Sequence, residues 1–139
     1  MLLENTRGWK IMQPLLTIQA AMDRWIGHFA PDWVPEQSGR RQRLEPWRIL
    51  HEGGFPFLKG EAARQAFNHI EKKNAVYFRP DADPCDLAAD LFPCTDALVF
   101  DCMGDIYIAD RSFTWTYVHT RYPWCGPYFA RFQKGSETV

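Results

Sequence analysis

The sequence predicts an α+β fold, with N-terminal helices packed on one face of a C-terminal, mainly antiparallel sheet. Three observations carry this. Up to Asn74, apolar residues recur at three- and four-residue steps; beyond it they alternate. Helical pattern comes first and strand pattern later, the order of helices laid on an antiparallel sheet and not of interleaved parallel βαβ units. The chain has 139 residues, 46% hydrophobic and 15% aromatic. That suits one domain over residues 1–139 with a packed core, and not a disordered chain.

Residues 1–13 and 133–139 are expected to fray. Over 14–29, Leu15, Ile18, Met22, Trp25, Ile26 and Phe29 form one stripe of an amphipathic helix. Pro14 suits its first turn, where a missing N–H costs nothing, and Pro31 and Pro35 end it. Residues 36–44, with Arg40, Arg41 and Arg43 after Ser38-Gly39, read as a mobile basic connection whose role the sequence leaves open. A short helix from Glu45 to His51 follows, closed by Gly53-Gly54. Another helix runs from Glu61 to Lys73, with Ala63, Ala66, Phe67 and Ile70 on one face and its charges ordered to suit the helix dipole.

After Asn74, "AVYFR" reads as a strand. Residues 81–94 are a Pro- and Asp-punctuated connection with one helical turn at Asp86 to Leu91. "ALVFDCMGDIYIAD" reads as a hairpin of two strands around Cys102-Met103-Gly104-Asp105, with Gly104 supplying a positive φ. "SFTWTYVHT" is the next strand and "GPYFARF" the last. Side chains alternate across a strand, so Phe113, Trp115, Tyr117 and His119 share one face, and Thr114, Thr116, Val118 and Thr120 the other. The bulky face is expected to pack against helices and the Thr-rich face to meet water or a partner.

Charge is uneven along the chain. Residues 1–79 have a balance of +4 and residues 111–139 of +3. Residues 80–110 hold eight Asp and no base: Asp81, Asp83, Asp86, Asp90, Asp96, Asp101, Asp105 and Asp110. An acidic segment between basic ones argues against nucleic-acid binding. Either the segments neutralise one another in the fold, or the acidic one forms a face that speeds encounter with a basic partner. No run of about 18 apolar residues suggests a membrane span, and no secretory leader is expected.

Chemistry-bearing motifs are few. Cys85, Cys94, Cys102 and Cys125 have no zinc spacing and are expected to be reduced, buried thiols in a cytoplasmic protein. No glycine-rich phosphate loop or nucleophile elbow is present, so no cofactor and no metal are expected. Cys125, His119 and Asp110 are the residue types of a nucleophile, base and orienting acid, although nothing nearby in sequence stabilises a thiolate. Asp101 and Asp105, flanking the hairpin turn, are the residue types of a metal site, but Asp is also a common turn residue.

The run "PWRILHEGGFPFLKGEAARQAFNHIEKK", then "YIADRSFTWTYVHT", then "CGPYF", resembles a family of small bacterial proteins catalogued as domain of unknown function 4275. The resemblance covers about Leu44 to Phe132. It implies a compact bacterial intracellular protein, and it singles out Asp110, Phe113, Trp115, His119, Gly126, Pro127, Tyr128 and Phe129 as a core of strand, turn and packing. Two positions depart. Where members often show Trp-His, this chain has Trp47-Arg48; where they often show Thr-His-Glu, it has Thr120-Arg121-Tyr122. A guanidinium stays protonated and ligates no metal, so neither position can do a histidine's chemistry here.

The leading expectation is a binding protein without catalysis, in particular an immunity-type protein that neutralises a basic toxin domain. Its contacts would be Asp81, Asp83, Asp86, Asp90 and Asp105, with Tyr122 and Trp124 as aromatic anchors. One alternative is a small metal-dependent hydrolase using the Asp cluster and His119. The other is a scaffold or subunit of a larger assembly of undefined oligomeric state, which predicts a large exposed apolar patch.

Overall fold

The computed structural model describes residues 15–33, 45–51, 56–122 and 124–132. Pro14, Pro35, Gly53-Gly54, Pro123, the ends at 1–13 and 133–139, and the 36–44 connection with Arg40, Arg41 and Arg43 lie outside the described residues.

The α+β class and the antiparallel sheet are as the sequence predicts. The elements are α1 (Ile18–Phe29), α2 (Arg48–His51), β1 (Leu58–Lys59), α3 (Glu61–His69), β2 (Ala75–Phe78), β3 (Ala89–Asp90), a 3-10 helix (Ala97–Phe100), β4 (Ile106–Asp110), β5 (Trp115–His119) and β6 (Tyr128–Arg131). The six strands run in the order β1-β6-β5-β4-β2-β3, every described neighbour antiparallel.

The helices divide between the two faces of this sheet instead of gathering on one. Ile18, Ala21, Trp25 and Phe29 of α1, with Trp47 and Leu50, pack on Val76, Phe78, Tyr107, Ala109, Val118, Tyr128 and Ala130. Ala63 and Phe67 of α3, with Ala97 and Phe100, pack on Ala75, Ile106, Ile108, Trp115, Tyr117 and Phe129. These are alternate residues of the same strands, so both faces are covered.

Covering both faces corrects the expected wet Thr face. Thr114 is exposed, but Thr116, Val118 and Thr120 are buried. The two buried threonine hydroxyls are satisfied internally: Thr116 Oγ1 donates to the Ile108 carbonyl at 2.7 Å and accepts from Trp25 Nε1 at 2.9 Å, and Thr120 Oγ1 donates to the Tyr122 carbonyl at 3.1 Å. Phe113 also leaves the expected row. It takes a φ of +54° in the turn before β5 and packs with the α1 layer, away from Trp115 and Tyr117.

Local chemistry explains the other differences. Helix α1 starts at Ile18 because Thr17 caps it, its hydroxyl accepting from Ala20 N at 3.1 Å. Leu15 therefore falls outside the stripe and is 80% exposed. Helix α3 stops at His69, four residues before Lys73, because Lys72 folds back and donates from Nζ to the carbonyls of Asn68 and Ile70 at 3.3 and 3.2 Å. The expected first hairpin arm is the 3-10 helix, capped by Asp96, whose carboxylate accepts from Leu98 N. The turn at 86–91 is not helical: Ala89–Asp90 pairs with β2, and Leu87 bridges to Thr17. Of the four cysteines only Cys125 is buried; Cys85, Cys94 and Cys102 are exposed, and all four are unbridged.

Candidate functional site

Polar groups converge where β4 starts and β5 ends. Glu45 is wholly buried beside α2, and its carboxylate accepts from Arg48 Nε at 2.6 Å, Arg121 Nη2 at 2.7 Å and the Tyr122 hydroxyl at 3.4 Å. The Glu45 bond holds the Arg121 guanidinium even more firmly protonated than usual. Asp105 accepts from Arg121 N at 2.7 Å and from Trp47 Nε1 at 3.2 Å. The Trp47 amide donates to the Tyr107 hydroxyl at 3.1 Å, and burial pushes that phenol well above its ordinary range.

Beside this hub opens a cavity of about 460 Å³, lined among others by Arg64, Asp101, His119, Arg121, Cys125 and Gly126. Arg64 reaches in from α3 and donates to Asp101 at 2.7 Å, a bond that raises its pKa. The ring of His119 is fixed by Nδ1, 2.8 Å from the Gly104 carbonyl. Gly126 stands at a φ of +91°, and a Cβ there would come within 3.0 Å of the Tyr128 ring, so the turn into β6 admits only glycine. The carbonyl of the next residue, Pro127, accepts from Gly60 N at 2.9 Å and ties this turn to the start of α3.

The trio of Cys125, His119 and Asp110 is not assembled. Ile106 pairs with His119, which puts Asp110 at the far end of β4, roughly 13 Å along the strand. There Asp110 accepts from Thr114 N, Thr114 Oγ1 and Trp115 N, holding the β4–β5 turn. Asp101 and Asp105 flank the Gly104 turn, but Asp105 does not line the cavity. Among the described residues no three His, Cys, Asp or Glu side chains lie close enough to share a metal ion.

The acidic segment is partly consumed by the fold. Asp96 caps a helix, Asp101 pairs with Arg64, Asp90 pairs with Arg111, and Asp105 and Asp110 accept main-chain N–H groups. Asp105 is therefore committed inward, contrary to its expected place on a contact face. Asp81, Asp83 and Asp86 are exposed on the connection between β2 and β3, and Asp90 is exposed in β3 itself. Asp81 lies 3.4 Å from Arg79, and Asp83 accepts from Cys85 N at 2.9 Å. The backbone of this connection caps α1, the carbonyls of Asp86 and Pro84 accepting from Ile18 N and Gln19 N. Of the two expected anchors, Trp124 is 69% exposed, while Tyr122 is half-buried against Glu45 and Trp47.

A family model described as Domain of unknown function (DUF4275) matches residues 41–129, well over half of the chain. The chain belongs to the DUF4275 family. Comparison with curated proteins and with solved structures finds no match. Within this DUF4275 chain the motif residues divide by task. Asp110 and Gly126 hold turns, Phe113, Trp115, Tyr128 and Phe129 fill the two core layers, and His119 and Pro127 line the cavity. Sequence reasoning placed Glu45 only at the start of a short helix and missed its role as the buried acceptor of the hub. It marked Arg48 and Arg121 only as departures, yet both donate to that one carboxylate, Arg121 from 76 residues away. No local pattern announces such a contact.

Proposed function

We propose that this DUF4275 protein is a small bacterial intracellular binding protein without catalysis, which captures a basic protein partner as an immunity-type protein captures a toxin domain. The observation that carries the reading is the segment from the β2–β3 connection into β3, where Asp81, Asp83, Asp86 and Asp90 are exposed in the same stretch of chain as Leu87, itself 51% exposed. Exposed apolar surface in an acidic stretch suits a protein contact, and a field of one sign accelerates encounter. Its position supports the reading, because the backbone beneath is held by α1 and the carboxylates sit on an ordered platform. The metal-dependent hydrolase has less support, since the carboxylates are spread along the chain and only Asp101 shares a cavity with His119.

The test is capture of a partner from lysate of the source cell by the tagged chain, at low and at moderate salt. It is run beside the variant carrying Asp81→Asn, Asp83→Asn and Asp86→Asn. A basic protein retained at low salt, weakened by salt and lost by the variant is the expected outcome. Equal retention by variant and parent would refute the acidic face.

A further inference from the structure

The cavity at the end of β5 holds donors that the fold does not use up. Arg64 and Arg121 each place one guanidinium nitrogen on a carboxylate, Asp101 and Glu45 respectively. A guanidinium has five N–H donors, so each ion pair orients the group without saturating it. Both side chains keep contact with solvent, at 26% and 51% exposure. His119 adds a third group. The Gly104 carbonyl can only accept, so Nδ1 carries the hydrogen and the ring is held in place in the cavity wall.

Charge in the wall points the same way. Asp101 is matched by Arg64, whereas Glu45 is shared by two guanidiniums, Arg48 and Arg121. Asp105, which takes Arg121 N and Trp47 Nε1, stays out of the lining.

We propose that this cavity binds a small oxyanion group, a phosphate or a carboxylate, gripped between the Arg64 and Arg121 guanidiniums beside the His119 ring. The volume of about 460 Å³ admits such a group together with a modest organic body. Planar guanidinium forks suit the paired oxygens of either anion. The site is separate from the acidic β2–β3 connection, and its fate does not depend on the protein partner.

The experiment is a titration of the full chain, followed through its backbone amide resonances, with inorganic phosphate and separately with acetate. Each is compared with sodium chloride at matched ionic strength. The expected result is saturable shifts at Gly104, Arg121 and Gly126 that chloride does not produce, weakened at least tenfold in Arg64→Gln. Saturation by phosphate alone assigns a phosphoryl ligand, and saturation by acetate alone a carboxylate. Absence of saturable shifts with both anions overturns the proposal, as does unchanged affinity in Arg64→Gln. The titration of the unsubstituted chain decides by itself if that variant does not fold.

Discussion

Glu45 is the residue whose environment departs furthest from its type. A carboxylate is seldom fully buried, and removing it from water is costly unless charge and hydrogen bonds replace the hydration. Arg48 and Arg121 supply both at 2.6 and 2.7 Å. The two arginines themselves remain partly wet, so the pairing is asymmetric. In Glu45→Gln the shape is kept and both charge-assisted bonds are weakened, while the guanidiniums can turn to solvent. We expect a loss of about 2 kcal/mol, less than for stranding a buried charge. It should read as a lower urea midpoint at unchanged denaturant slope. An unchanged midpoint would mean that desolvation already cancels the attraction. At the same scale, the two arginines that sequence reasoning counted against function are the ones that build the hub.

At the scale of elements, β2, β4, β5 and β6 each face two helical layers, and periodicity alone did not reveal this. The Thr residues of β5 read as a wet face because threonine is polar. Thr116 and Thr120 are buried because their hydroxyls find partners, Trp25 Nε1 and the carbonyls of Ile108 and Tyr122 among them. Trp115 tests the α3 layer. It is 4% exposed, its ring 6.1 Å from Phe67 and 6.0 Å from Phe129. Trp115→Ala should leave a cavity and cost about 3–5 kcal/mol, measured by urea unfolding. Unchanged stability would remove this residue from the core. The 3-10 helix carries the opposite lesson. "ALVF" has strand composition, yet Asp96 caps its first N–H groups, and Ala97 N donates to Asn68 Oδ1 of α3 at 2.8 Å. Capping chemistry overrode propensity there.

For the molecule as a whole, buried phenols set an alkaline limit. Burial raises the pKa of Tyr107, Tyr117 and Tyr128 above the ordinary 10.0. The sign follows from which state holds the proton. Below pH 10 both folded and unfolded chains keep these phenols protonated, and their contribution to stability is complete. Above it the unfolded chain releases protons that the folded chain retains, so stability falls as pH rises. Phenolate absorbance of these three tyrosines should therefore appear together with loss of tertiary structure, after any freely titrating tyrosines. Ionisation of all five tyrosines at one ordinary value in a folded chain would contradict their burial.

The α+β class, the early helices α1 and α3, the strands β2, β4, β5 and β6, the turn at Gly104 and most of the core stripe of α1 were legible in the sequence. They follow from backbone geometry, because a 3.6-residue or two-residue apolar period writes itself into neighbouring positions. The division of helices over both sheet faces, the inward turn of Asp105, the separation of Asp110 from His119 and the meeting of Arg48 with Arg121 on Glu45 were decided only by the tertiary structure. Those contacts join residues as much as 91 positions apart. They exist because every element packs at once, and buried charge then settles wherever the folded chain brings it a partner.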